Sequence, residues 1–184
     1  MTANNNLPNT LQLNWAAEIR EHYGDRMNFL TVFNPGKQSE YVKFESRCFL
    51  GTAPSIIRIS KAYGYAVAES WLEIQLQDLS EYSGVKNKMQ ISQLTEVAKT
   101  IISNYGYLKV TEIMVFFQRF KAGMYGKFYG AVDGLVITSA LFEFLEYRSK
   151  MIDKFNKEAK EPEQKRSDQM KEKLWKLYLH FKSI

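Results

Sequence analysis

The chain has few of the residues that build catalytic and metal sites. Its 184 residues include one cysteine, Cys48, and two histidines, His22 and His180. A single cysteine excludes an internal disulfide framework and is typical of proteins in a reducing compartment. These three side chains cannot complete an ordinary zinc site without carboxylates, and the sequence suggests no third group to orient a Cys48–His22 dyad. We therefore predict no catalytic residue, no metal and no cofactor.

Long apolar runs are also absent. No stretch approaches the roughly 20 apolar residues that a helix needs to span a bilayer. The polar N-terminus, residues 1–10, lacks the basic and then apolar pattern of a signal peptide. We therefore expect a cytoplasmic protein without a membrane span.

The positive charge is confined to the C-terminal part of the chain. Residues 1–147 contain 14 Lys and Arg and 14 Asp and Glu, and are neutral. Residues 148–184 contain 11 Lys and Arg and 6 Asp and Glu, which accounts for the whole net charge of +5. The charge pattern therefore indicates a basic arm rather than a basic domain that coats nucleic acid.

Apolar residues recur at helical spacing along most of the chain, and glycines separate the repeats. We predict helices at 11–23, 52–63, 65–82, 92–104, 110–121, 133–156 and 167–181. Thr52 and Asp133 are the expected N-caps of the second and the sixth of these helices. Large apolar residues cover most of the circumference of the helix at 110–121, which predicts that it is the central buried helix.

Two segments of the chain are harder to assign. Asn-Pro-Gly at 34–36 is a turn signal, so a short β-hairpin near 28–48 competes with a helix that starts at Ser39. Pro162 predicts a break within the charged stretch 157–166.

We expect a mainly α, compact bundle of about five to seven helices, with a C-terminal amphipathic helix after a linker.

The expected organisation has three parts. These are an N-terminal helix and irregular segment (1–50), a helical core (51–156), and a charged linker with a basic C-terminal helix (157–184). The boundaries follow the start of the firm helical pattern at Gly51 and the composition shift at Lys157.

Residues 121–134 interleave glycines at 123, 126, 130 and 134 with aromatic residues and lysines. Glycine lets backbone N–H groups approach a phosphate, lysine neutralises it, and aromatic faces stack on bases at about 1–3 kcal/mol each. On this hypothesis the nucleic-acid-binding residues are Lys121, Tyr125, Lys127 and Tyr129. The alternative is a tight connection between buried helices, in which the aromatic rings fill the core and the glycines adopt positive φ.

This segment matches neither of two known phosphate-binding loops. Gly-x-x-Gly followed by lysine is similar to the backbone-clamping loop of KH domains, but the βααβ setting of that fold is missing. It is not a Walker loop, because neither Ser nor Thr follows Lys127. The helices at 92–104 and 110–121, joined by a short turn, could also form a DNA-binding helix-turn-helix. In the second helix only Gln118, Arg119 and Lys121 could contact base edges. We therefore expect an ordinary helical hairpin there.

The last predicted helix is basic and amphipathic. Such a helix can dock on a protein partner, on nucleic acid or on an anionic membrane surface. The alternative is that it packs back on the body with its lysines in solvent. The residues that we predict to bind a partner are Lys171, Leu174, Trp175, Tyr178 and Phe181.

A series of motifs in the chain resembles a known family. The motifs are Arg-Cys-Phe-x-Gly-x-Ala-Pro (47–54), Ala-Tyr-Gly (62–64), Trp-Leu-x-x-Gln-Leu-x-x-Leu (71–79), Tyr-Gly-Tyr-Leu-Lys-Val-Thr-Glu-Ile-Met-x-Phe-Phe-x-Arg-Phe-Lys-x-Gly (105–123) and Tyr-Gly-x-Phe-Tyr-Gly-x-Val-Asp-Gly-x-Val-Ile-Thr-x-Ala-Leu (125–141). They resemble an uncharacterised family of small helical proteins that bacterial phages and integrated mobile elements encode, often in replication-type gene neighbourhoods. The arrangement is also loosely similar to phage helicase loaders. Over residues 47–150 the resemblance implies a non-enzymatic, nucleic-acid-associated role inside a bacterial cell.

Two functions are consistent with the sequence. The first is an accessory or adaptor protein of phage or mobile-element DNA metabolism, which binds a protein partner and contacts nucleic acid through residues 121–134. The second is a structural or interaction protein, which forms a homo-oligomer or binds a host protein and has no contact with nucleic acid.

Overall fold

The computed structural model describes the backbone of residues 9–182 and the side chains of residues 14–162 and 165–175. The helices are α1 (Asn9–Tyr23), α2 (Arg26–Val32), α3 (Gln38–Val42), α4 (Glu45–Leu50), α5 (Ile56–Tyr63), α6 (Tyr65–Tyr82), α7 (Ile91–Tyr105), α8 (Val110–Lys121) and α9 (Gly134–Lys182). The predicted mainly α class is confirmed. None of the described helices has both the length and the apolar character that crossing a membrane requires.

The chain divides into two compact units, residues 1–145 and residues 146–184. The first unit contains α1 to α8 and the first turns of α9. The second unit consists of the remainder of α9, in which every described side chain from 156 to 175 is exposed. The hydrophobic core described below therefore belongs to the first unit.

Helix α8 lies at the centre of that core. Every residue from Val110 to Phe117 is buried, and Phe120 is buried as well. Helices α3, α4 and α6 pack against α8, and the ring of Phe116 meets that of Phe144 with centroids 5.6 Å apart. The predicted central position of this helix is confirmed.

Of the two alternatives for residues 28–48, the β-hairpin is wrong and the helix that starts near Ser39 is confirmed, because the segment folds as α2, a single 3-10 turn at Pro35–Lys37, α3 and α4. The carboxylate of Asp25 caps α2 by accepting a hydrogen bond from the N–H of Asn28 at 2.9 Å. Phe29 and Phe33 lie four residues apart, and both are buried with ring centroids 5.2 Å apart. These short helices bring the number of helices within residues 9–182 above the five to seven predicted.

The expected N-cap of α5 is also wrong. The helix begins at Ile56, and Oγ of Ser55, not of Thr52, accepts from the N–H of Arg58 at 3.4 Å. The chain before it is held by α8, since the N–H of Val110 donates to the carbonyl of Pro54 at 3.0 Å. The cap predicted for α9 is confirmed, because Oδ1 of Asp133 accepts from the N–H of Leu135 at 2.8 Å.

Helix α9 continues through residues 157–166, so the predicted linker and the separate last helix are wrong. Pro162 cannot donate to the carbonyl of Glu158, which removes one hydrogen bond from the helix. Strong helix formers surround the proline and support the helix on both sides. Two ion pairs add support across one turn each. They are Lys154–Glu158 at 3.8 Å and Glu161–Lys165 at 3.7 Å.

A buried polar network joins α3 and α6 to the end of α2. Nε1 of Trp71 and Nε2 of Gln75 both donate to the carbonyl of Phe33 at 2.8 Å. Nε2 of Gln38 donates to Oε1 of Gln75 at 2.7 Å, and both glutamines are fully buried. Because a buried amide without a partner is costly, each glutamine depends on the other.

Cys48 is a buried packing residue on α4. Its thiol donates to the carbonyl of Tyr41 at 3.3 Å, and Oγ1 of Thr111 donates to the carbonyl of Cys48 at 3.0 Å. Burial, together with the nearby carboxylates of Glu45 and Glu112, raises the pKa of the Cys48 thiol to about 12. The thiol therefore stays protonated at neutral pH, where it is a poor nucleophile.

We predict that Gln75→Leu lowers the free energy of unfolding by about 1–3 kcal/mol, because it leaves the buried amide of Gln38 without its acceptor. The carbonyl of Phe33 keeps its bond from Trp71. Adding Gln38→Leu should recover part of the loss, since both partners are then apolar. Urea denaturation of the full chain measures each value. A double variant that loses as much as the two single variants together would contradict this account.

We predict that the free energy of unfolding falls as the pH rises from 9 towards 12. The pKa of Cys48 rises from 9.0 to about 12 on folding, so the folded chain keeps a proton that the unfolded chain releases. This contribution is complete below pH 9.0 and is lost as the pH approaches the folded-state pKa. Cys48→Ala should make the decline shallower in alkaline urea titrations.

The same burial predicts slow alkylation of the native thiol. At about pH 8, iodoacetamide should modify native Cys48 more than about 100-fold more slowly than it modifies the urea-unfolded chain. Comparable rates for the two states would show that the thiol is neither buried nor protonated.

Candidate functional site

Backbone hydrogen bonds join two loops of the first unit. The N–H of Asn87 donates to the carbonyl of Gly130 at 3.3 Å, and the N–H of Val132 donates to the carbonyl of Asn87 at 3.1 Å. These bonds tie residues 83–90, between α6 and α7, to residues 122–133, between α8 and α9. We call these two segments the paired loops. The pairing brings together side chains that are far apart in the sequence.

The glycines of residues 122–133 allow a backbone conformation with positive φ. Gly123, Gly126 and Gly130 have φ values of 79°, 91° and 75°, in the left-handed region that favours glycine. A Cβ at any of the three would meet no atom within 4 Å. Conformation rather than lack of space therefore requires glycine here, as in the hypothesis of a tight connection between helices.

Lys121 is already neutralised by the protein. Its ammonium forms an ion pair with the carboxylate of Asp78 and lies 5.5 Å from the centroid of the Tyr82 ring. Its side chain is only 12% exposed. Lys121 therefore bridges the end of α8 to α6, and a ligand phosphate would have to displace Asp78 to reach it.

Tyr125 turns towards the core. Its ring stacks on that of Phe116 with centroids 5.5 Å apart, and Nε of Arg119 donates to its hydroxyl at 3.1 Å. Burial raises the pKa of Tyr125. Phe128 takes a similar place, because its ring lies nearly parallel to that of Phe120 at 5.2 Å. These rings close the core at the end of α8.

The other two predicted nucleic-acid residues face solvent. Tyr129 is 90% exposed and Lys127 is exposed. The four residues that the sequence grouped together therefore separate into an inner pair, Lys121 and Tyr125, and an outer pair, Lys127 and Tyr129. The outer pair alone presents a cation and an aromatic face to a ligand.

Two exposed residues at or beside the paired loops were not singled out as a site by the sequence. Tyr82, at the end of α6, is 62% exposed, and Lys86 is exposed in the following loop. Lys88 differs, because its ammonium donates to the carbonyls of Ser80 and Glu81 at 2.9 and 3.0 Å. The sequence shows the lysines of this loop. It does not show that the loop lies against residues 122–133, because that depends on the hydrogen bonds of Asn87.

A cavity of about 240 Å³ lies beside Lys127. Its walls include Tyr82, Phe120, Lys121, Lys127 and Phe128. It thus combines aromatic carbon with the partly buried cation of the Lys121–Asp78 ion pair and one exposed cation. A small anionic or aromatic group is the kind of ligand that such walls accommodate.

The predicted partner-binding residues lie on α9 in the second unit. Leu174 and Trp175 are both 59% exposed, Lys171 is exposed, and Met170, which extends the apolar stripe, is 58% exposed. The side chains of Tyr178 and Phe181 lie outside the described residues. Three described apolar side chains therefore present a surface to solvent.

The structure does not bring Cys48 and His22 together. Cys48 lines a cavity with Tyr41 and Phe44, whereas His22 lines another with Trp15 and Arg58. Within the described ranges, no cluster of three or more His, Cys, Asp and Glu side chains is placed to hold a metal ion. Helix α8 is the second helix of the helical hairpin formed by α7 and α8. It is buried from Val110 to Phe117 and cannot enter a DNA groove without unfolding the core.

Comparison with known protein families gives a match over part of the chain. Residues 88–174 match a protein family of unknown function (DUF6633). The matched range contains α7, α8, residues 122–133 and α9 as far as Leu174. No curated protein and no solved structure matches the chain. Over residues 88–174 the chain is therefore similar to a family that brings no assigned activity.

Proposed function

We propose that this protein is a non-enzymatic adaptor whose C-terminal helix binds a protein partner. The observation that supports the proposal is the exposure of Met170, Leu174 and Trp175, at 58%, 59% and 59%, on one stretch of α9. Exposed apolar side chains that are grouped on a helix are a common feature of interaction sites.

An isolated helix has little stability of its own. A helix gains most of its stability from packing its apolar stripe, and the described side chains from 156 to 175 are exposed to solvent. A groove on a partner would supply it, with side chains at helical spacing as anchors. Tryptophan is among the residues that contribute most to such interfaces.

Charge indicates the chemistry of the partner. Residues 165–184 contain six Lys and Arg and two Asp and Glu. Two copies of this segment would repel each other, whereas an apolar groove with an acidic rim would attract it. The proposal therefore favours a different protein over a second copy of the chain. A homo-oligomer or a host-protein binder remains the alternative function.

The resemblance to proteins of phages and mobile elements supports a more specific proposal, an accessory role in phage or mobile-element DNA metabolism inside a bacterial cell. The loose similarity to phage helicase loaders supports the same role, since a loader binds a protein partner and functions in DNA metabolism.

We predict that Trp175→Ala weakens binding to the partner by about 30-fold or more, which is the effect of losing a hot-spot residue worth about 2 kcal/mol. Leu174→Asp should abolish capture, because it places a charge in the apolar contact. Tagged full-length chains would retain the partner from extracts of bacterial cells that encode the protein. Titration of the purified partner would then give Kd.

The matched control is Lys157→Ala, which removes an exposed charge from the same helix without touching the apolar stripe. It should bind as the unchanged chain does. Equal retention of the partner by Leu174→Asp would overturn the proposal. A dimer in sedimentation experiments that Leu174→Asp dissociates would support the homo-oligomer instead.

A further inference from the structure

Two exposed aromatic rings and two exposed cations lie at or beside the paired loops. Asn87 is bonded to both Gly130 and Val132, so Lys86 and Tyr129 each lie next to a residue of the pairing. Tyr82 and Lys127 line the same cavity. We call Tyr82, Lys86, Lys127 and Tyr129 the paired-loop face.

Both aromatic rings of this face are exposed to solvent. Tyr129 is 90% exposed and Tyr82 is 62% exposed. Burying either ring against a flat partner would remove a large apolar area from water. The ammonium of Lys121 lies 5.5 Å from the centroid of the Tyr82 ring and adds a cation–π contact to the same ring.

The cations of the face are available for an anion. In the described part of the chain no carboxylate pairs with Lys86 or Lys127. Nearby Lys88 and Lys121 pair instead with Glu81 and Asp78. The face therefore offers two unneutralised cations beside two exposed rings.

We infer that the paired-loop face binds single-stranded nucleic acid. Unpaired bases stack on Tyr129 and Tyr82, and the intervening phosphates contact Lys127 and Lys86. A duplex hides the faces of its bases, so the two tyrosines gain nothing from it, and two cations alone give weak binding to duplex phosphates. This inference does not depend on the protein partner of the C-terminal helix.

The test is fluorescence anisotropy of the full chain with labelled oligo-dT and oligo-U of about 15 nucleotides, and with a duplex of the same length, in about 20 mM salt. The two single strands separate DNA from RNA as the ligand. We expect both to bind more tightly than the duplex. The inference is overturned if neither oligo-dT nor oligo-U binds, or if the duplex binds with the same affinity as the single strands.

Variants of the face separate stacking from charge. Tyr129→Ala should weaken single-strand binding at least about fivefold, and Tyr129→Phe, which keeps the ring, should restore it. Lys127→Ala should reduce the slope of log affinity against log salt by about 0.7, the value for one phosphate contact in a single strand. Tyr129 is exposed, so thermal unfolding should not change.

Two controls identify competing explanations. Tyr107→Ala removes a ring that is 52% exposed outside the paired loops and should leave affinity unchanged. A triple variant of the basic arm, Lys171→Ala, Lys173→Ala and Lys176→Ala, should retain the effect of Tyr129→Ala. If the triple variant abolishes binding while Tyr129→Ala and Lys127→Ala leave it unchanged, the arm is the binding site and the inference is wrong.

Discussion

A helix with apolar side chains on every face must be enclosed, and α8 imposes this requirement on the first unit. Helices α3, α4 and α6 and the first turns of α9 supply the enclosure. The ends of α8 are tied to the surrounding chain as well. Lys109, before its first turn, donates through its ammonium to the carbonyls of Phe49 and Gly51 at 2.6 and 2.7 Å, and Lys121, its last residue, pairs with Asp78 of α6.

The paired loops follow from this enclosure. The chain has to leave the buried end of α8 and turn back into α9, which also contributes to the core. Gly123, Gly126 and Gly130 permit the turn, while the rings of Tyr125 and Phe128 close the core behind it. Side chains that do not fit inside are left at the surface. The exposed positions of Lys127 and Tyr129 are thus a consequence of how the core closes.

Local patterns in the sequence predicted much of the first unit. The periodicity located α6, α7 and α8, and Asp133 marked the start of α9, because these signals depend on neighbouring residues. The turn signal at residues 34–36 could not decide between a β-hairpin and a helix that starts at Ser39, because the same Asn-Pro-Gly residues also suit a 3-10 turn between two helices. The error at Pro162 came from treating one lost hydrogen bond as a break, although the flanking helix formers carry the helix through.

The candidate site was only partly predictable, for a different reason. The sequence named Lys121, Tyr125, Lys127 and Tyr129 together, and nothing local distinguished the inner pair from the outer pair. Lys121 pairs with Asp78 across 43 residues of sequence, and Asn87 bonds to Gly130 at a similar sequence separation. Such contacts arise only in the folded core. Tyr82 and Lys86 were missed for the same reason.

Helix α8 anchors the core of the first unit, whereas the described side chains of α9 from 157 to 175 are exposed. Hydrogen exchange of the full chain without a partner tests this most directly. Amides of α8 should exchange only through global unfolding, with a protection that matches the free energy from urea denaturation. Amides of residues 157–175 should exchange with less than about 100-fold protection, as in an isolated helix. Equal protection of both segments would contradict the account, because the C-terminal segment would then be packed in a core.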